Sequence, residues 1–262
     1  MADDAEDSPQ ETFISHLVEL RDRLLHAIIA VLVLTLCLVP WAKDIYSLLA
    51  DPLLAALPAG ATMIATDVTG TFLVPLKVTL MTGFLIALPY VLYQAWAFVA
   101  PGLYSHEKRF MLPLVVSSTL LFFVGVAFCY FLVLPAMSQF IQLWAPKSIT
   151  AAPDIEQYFG FVLTLFVVFG LAFEVPIVVI VLARLGVVPV DKLRAFRGYF
   201  IVLAFIIAAV VTPPDVISQL ALAIPMVILY EVGLRLASLF EKKEEAEAEP
   251  EPERKPEGKP GA

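Results

Sequence analysis

Five apolar runs long enough to cross a lipid bilayer constrain this chain more than any other feature of its sequence. They lie at about residues 24–41, 72–99, 110–137, 158–185 and 216–240. A hydrocarbon core of about 30 Å takes roughly 20 helical residues, and with no water there to satisfy backbone amides and carbonyls, each run is predicted to be a helix. A sixth run, residues 199–211, reaches only about 20 Å at the helical rise. Thr212-Pro213-Pro214-Asp215 separates it from the last run, and consecutive prolines stop a helix by removing donors and clashing with the turn before. The pattern predicts six spans in an all-α integral membrane protein. A tight turn joins the last two, and the fifth is short enough to need a thinned bilayer or shelter from its neighbours. Composition agrees: 60% of the 262 residues are hydrophobic and 16% charged, where soluble domains carry about 45–50% apolar residues.

The net charge of −8 disfavours a nucleic-acid partner, but it belongs to the ends. Residues 1–11 hold five acids and no base, residues 241–262 hold eight acids and five bases, and residues 12–240 balance 12 against 12. The expected organisation is an acidic disordered N-terminus over 1–11, a six-helix domain over 12–240, and a Glu/Pro-rich disordered tail over 241–262. Met1-Ala2-Asp3-Asp4-Ala5-Glu6-Asp7 has no basic region before an early apolar run, so the first span is expected to stay as an anchor. Arg21, Arg23, Lys108, Arg109, Arg184, Lys192, Arg194, Arg197, Arg235, Lys242 and Lys243 fall on one side of the predicted spans, which places both termini in the cytoplasm. The opposite loops, 42–71 and 138–157, are long and expected to form short helices. Cys37 and Cys129 sit in apolar runs and read as unpaired small hydrophobes.

No motif for a metalloprotease, serine hydrolase, P-loop or dinucleotide fold occurs, so no enzyme, cofactor or metal site is expected. What stands out is a set of carboxylates. Residues 12–26 place Phe13, Leu17, Leu20 and Leu24 on one helical stripe and His16, Glu19, Arg23 and His26 on another. Glu19 can pair with Arg23 four residues on, worth about 0.3–0.5 kcal/mol, or serve with Glu107 as an acidic site for a cationic ligand. Glu107, in the predicted first turn of span three after a capping Ser105, can equally stabilise the helix dipole. Glu174 differs in kind, because an ionised carboxylate near the bilayer centre costs at least about 2.5–3.5 kcal/mol and marks a functional site by default. Pro176, two residues on, removes the donor to the Ala172 carbonyl and opens a polar notch for another helix. A structural pairing of Glu174 with Lys77 or a hydroxyl is the alternative.

At these positions the chain resembles the TatC family of the twin-arginine protein translocase. The resemblance covers about residues 12–240 and is carried by His16-Leu17-Val18-Glu19-Leu20-Arg21-Asp22-Arg23, by the stretch from Tyr93 through Phe98-Val99-Ala100-Pro101-Gly102 to Glu107-Lys108-Arg109, by Phe173-Glu174-Val175-Pro176 and by Thr212-Pro213-Pro214-Asp215. It implies a concave six-helix bundle with short fifth and sixth helices, in the bacterial inner membrane. It implies a receptor for the Arg-Arg signal peptides of folded precursors, bound by Glu19 and Glu107 with Arg21 and Phe98. Glu174, Pro176 and Asp215 would receive a partner helix, the partners being TatB and TatA subunits, with several TatC copies and transport driven by the proton-motive force. Read without the resemblance, a proton-coupled small-solute carrier using Glu174 and a ligand-free membrane scaffold remain as rivals. The absence of an internal repeat speaks against the carrier.

Overall fold

The computed structural model describes residues 9–55, 63–99, 108–144, 152–212 and 216–248, and these residues are almost entirely helical. In chain order the helices are α1 (Pro9–Leu38), a 3₁₀ turn (Val39–Trp41), α2 (Ala42–Ala55), α3 (Gly70–Val99), α4 (Lys108–Phe128), a π turn (Cys129–Val133), α5 (Leu134–Trp144), α6 (Ile155–Arg184), α7 (Val190–Ala195), α8 (Arg197–Val211) and α9 (Val216–Ala248). Five stretches are long and apolar enough to cross a membrane: Ile14–Ala50, Gly70–Val99, Met111–Phe140, Ile155–Arg184 and Val216–Leu239. The sixth span is α8, whose 15 residues cover only about 22 Å. The last span is 24 residues against 30 for the three before α8, although the helix that carries it is longer. Thr212, which ends α8, is extended (φ −93°, ψ 157°), as the residue before a proline is driven to be. Residues 213–215 lie outside the described set.

The first apolar stretch, Ile14–Ala50, is longer than the expected run over 24–41, and two helix boundaries also differ from the sequence-based expectation. Helix α1 starts at Pro9, inside the stretch expected to be disordered, because proline suits a first helical turn where its missing N–H is not needed. Helix α9 continues to Ala248, eight residues past the expected boundary at 241. Its extension, Glu-Lys-Lys-Glu-Glu-Ala-Glu-Ala, is made of strong helix formers. The connections after the first and third spans contain helices, α2 and α5, as expected.

Helix α6 is the axis of the bundle. Of its apolar span 61% is buried, against 11% for the first span. Phe159, Val162, Phe166, Phe169 and Phe173 recur at three- and four-residue intervals and are all buried, so one continuous face meets its neighbours. Small residues let other helices approach. A Cβ on Gly125 would come within 2.5 Å of the Phe169 carbonyl oxygen, and one on Gly233 within 2.8 Å of Pro176 Cα, so α4 and α9 touch the α6 backbone itself. Outward faces are apolar instead of charged: Leu24, Ile28, Leu32 and Leu36 of α1 and Tyr199, Val202, Ile206 and Val210 of α8 are exposed. That inversion is expected where the solvent is lipid.

The end opposite Glu19 is closed by a clasp. Ile64 pairs with Asp154 in an isolated parallel bridge, and Asp154 caps α6 by accepting from the amides of Glu156 (2.9 Å) and Gln157 (3.0 Å). Its second oxygen accepts from the Thr66 hydroxyl at 2.5 Å and the Thr66 amide at 3.0 Å. These bonds, the Thr66 hydroxyl foremost, hold the Asp154 carboxyl down at about 2, below its ordinary 3.8. Asp67 is likewise lowered, chiefly by the Thr69 hydroxyl.

Candidate functional site

The residues singled out from the sequence fall in two places. The first is a cleft of about 510 Å³ where the start of α1 crosses the end of α3, lined by Ser15, Val18, Glu19, Asp22, Arg23, His26, Tyr90 and Gln94. Helical spacing on α1 puts Glu19, Asp22, Arg23 and His26 on one side, and the four-residue step from Tyr90 to Gln94 faces them from α3. Glu19 is half-buried and is already paired. Arg23 donates to its Oε1 through Nε (2.8 Å) and Nη2 (2.6 Å), and through Nη1 to the amide oxygen of Gln94 at 3.4 Å. Gln94 in turn donates to the Tyr90 hydroxyl at 2.7 Å. The cleft therefore binds a guanidinium with a carboxylate and a neutral amide, the donor-to-acceptor match that arginine's fixed fork favours.

Arg21 points away from this arrangement. Its guanidinium is exposed and bound to Asp22, with Nε and Nη2 at 2.9 and 2.7 Å from Oδ1. Phe98, half-buried on α3 one turn beyond Gln94, stacks on His16 of α1 with ring centroids 4.4 Å apart and planes 21° from parallel. That stack supplies an aromatic wall beside the cleft. Glu107 lies outside the described residues, so its distance from Glu19 is not part of the geometry; Asp215 lies outside them too.

The second place is the interior around Glu174. Its residue is 6% exposed, and neither carboxyl oxygen has a hydrogen-bond partner among the described residues. Lys77, the cation expected as its mate, is bound elsewhere: Nζ lies 2.6 Å from Oε1 of Glu156, in the first turn of α6. The pairing follows from register, since Lys77 sits two turns into α3 and Glu156 in the first turn of α6. The hydroxyl alternative fares better, because Ser118 of α4 lies beside the Glu174 carboxyl. Ser118 itself accepts a bond from Trp96 Nε1 at 2.8 Å, and both residues are buried. Pro176 is buried against Gly233 of α9. This chain's own last helix packs against the backbone at Pro176.

Gln94, Tyr90, Ser118 and Trp96 are not among the candidate site residues read from the sequence, although Gln94 and Trp96 fall within the stretch from Tyr93 to Arg109 that carries the resemblance. A neutral amide or hydroxyl carries no charge to flag it in an apolar run. The available signal was register: Gln94 lies four residues before Phe98 on the same helical face.

A six-span apolar bundle, with a cleft at one end where a carboxylate and an amide hold a guanidinium and a buried carboxyl that has no hydrogen-bond partner among the described residues, defines a multi-pass membrane protein. The family described as Sec-independent protein translocase protein (TatC) matches residues 15–225. Relatives carrying that description include those of Halothiobacillus neapolitanus, 50% identical over 248 residues that cover 95% of this chain and 68% of the relative, and Escherichia coli K12, 47% identical over 233 residues that cover 89% and 90%. Two crystal structures of the twin arginine translocase receptor TatC match with TM-scores of 0.74 and 0.75 at 43% and 41% identity, covering 86% and 85% of this chain and 98% and 99% of those chains. The chain belongs to the TatC family. That membership supports the translocase reading over the small-solute carrier and the ligand-free scaffold.

Proposed function

We propose that this protein is the receptor subunit of a twin-arginine translocase and that it binds the Arg-Arg signal peptides of folded precursors. The observation that carries the reading is the cleft between α1 and α3, where Glu19 and Gln94 hold a guanidinium. Glu19 takes one signal arginine and Glu107 the other, with Phe98 forming an apolar wall and Arg21 neutralising Asp22, which lines the same cleft. An exposed carboxylate–arginine pair is worth only about 0.2–1 kcal/mol, so partial desolvation by the His16–Phe98 stack is part of the selectivity. The receptor lies in the bacterial inner membrane with both termini cytoplasmic, the side on which its bases crowd. Residues 12–240 carry the function, and the two acidic ends are accessory.

Glu174 receives a polar group from a partner helix, that of a TatB or TatA subunit, with Asp215 contributing to the same docking role. Its lack of a partner among the described residues supports this. Pro176 serves by fixing α9 against α6 and leaves the docking to Glu174. Six mostly apolar helices cannot enclose a folded protein, so passage requires further subunits, including further copies of this chain, and draws on the proton-motive force.

Crosslinking of an Arg-Arg signal peptide to the membrane-assembled protein tests the receptor role. Glu19→Ala and Glu107→Ala are expected to lower it severalfold while the protein stays folded. Wild-type crosslinking in both variants would overturn it. Glu174→Leu should spare that crosslink and lose partner recruitment.

A further inference from the structure

The cleft is not waiting empty for an arginine; it already holds one. Arg23 stands where a ligand guanidinium would stand, with two N–H donors on Oε1 of Glu19 and a third on the Gln94 amide oxygen across the helix crossing. We propose that Arg23 is an internal occupant of the signal-arginine site, and that an incoming arginine binds Glu19 by displacing it. This rests on the receptor reading given above and adds how the resting site is kept.

Three features of the geometry make the exchange feasible. Both contacts to Glu19 converge on Oε1, leaving Oε2 without a partner among the described residues, so a second guanidinium can engage the carboxylate before the first departs. The Gln94 contact is long, 3.4 Å, and marks the weaker anchor. The Arg23 side chain is 26% and that of Glu19 40% exposed, so ligand can reach the pair and the displaced arm can swing into water. An occupant of this kind also keeps a half-buried carboxylate paired in both states. Leaving such a charge unpaired is the costly alternative, and the exchange avoids it while holding resting affinity low enough for release.

The test is the binding of a labelled Arg-Arg signal peptide to the full chain, assembled with its partner subunits in nanodiscs, for wild type, Arg23→Gln, Glu19→Gln and the double variant. A competing i,i+4 pair of this strength lowers apparent affinity about two- to fourfold, so Arg23→Gln is expected to tighten binding by that factor. Glu19→Gln should weaken binding, and in its background Arg23→Gln should bring no gain, because the occupant no longer has a place to hold. Equal gain in both backgrounds would reduce the effect to net charge and overturn the proposal. Unchanged or weaker binding in Arg23→Gln, with Glu19→Gln still weakened, would also overturn it, assigning Arg23 to positioning Glu19 and leaving the receptor reading intact. Wild-type affinity in Glu19→Gln would instead remove the receptor reading of that residue. Should Arg23→Gln not assemble, Arg23→Met is read in the same way.

Discussion

Glu174 is buried beside Ser118 with neither carboxyl oxygen hydrogen-bonded among the described residues, an arrangement that costs stability. Replacing Glu174 with leucine, of similar volume, removes an unsatisfied buried group, which costs about 1–3 kcal/mol. Glu174→Leu is expected to unfold at the same temperature as wild type or higher, followed by tryptophan fluorescence in nanodiscs, while transport falls. Ser118→Ala should act in the opposite sense on stability. It strands the Trp96 indole N–H, for a loss of about 1–3 kcal/mol, and the same unfolding measurement checks it. At the other end, Asp154 has a carboxyl held at about 2 against an ordinary 3.8. A depressed folded value means the clasp to Thr66 contributes fully above about pH 4 and is lost as pH falls through about 2. Amide exchange at Thr66 and Gln157, corrected for intrinsic rate, should stay slow from neutral pH to about 4 and quicken below 3, and Asp154→Asn should abolish that dependence.

Single residues also set how the helices sit. The contact of Gly233 with Pro176 is backbone against backbone, and any side chain at 233 must push α9 off α6. Overpacking of this kind costs about 1–3 kcal/mol. Gly233→Val should lower the unfolding midpoint and raise the exposure of Met226 and Tyr230, both buried in wild type; methionine oxidation rates report the latter. The same helices illustrate what could be read in advance. Spans two, three, four and six lie within a few residues of their expected limits, because a run of apolar residues specifies a helix in lipid whatever it packs against. The end of α9 is polar enough to suggest disorder, yet its Glu, Lys and Ala residues favour the helix already nucleated and it runs to Ala248.

Taken whole, the described molecule combines five spans of 24 to 37 residues with one helix of 15, and it must fit both to one bilayer. The short α8 is tied at one end by Arg197, which donates to Glu231 of α9 at 3.0 Å, and by Phe200 stacked on Tyr230 at 4.1 Å between ring centroids. Mismatch costs fractions of a kcal/mol per Å. The unfolding midpoint in vesicles should therefore peak in lipids whose core is a few ångströms thinner than about 30 Å and fall as acyl chains lengthen; a midpoint indifferent to chain length would refute the idea that α8 sets the local thickness. What the sequence determined by itself was the solvent and the elements: six apolar helices, a short fifth, and bases gathered on one side, because insertion into lipid depends on each segment's own length and polarity. What only the tertiary structure decided was which polar group meets which. Lys77 goes to Glu156, Trp96 to Ser118, and Gln94 joins Glu19 in holding Arg23. Those meetings depend on how helices distant in the chain cross and at what depth, and the packing of glycines against backbones sets that crossing.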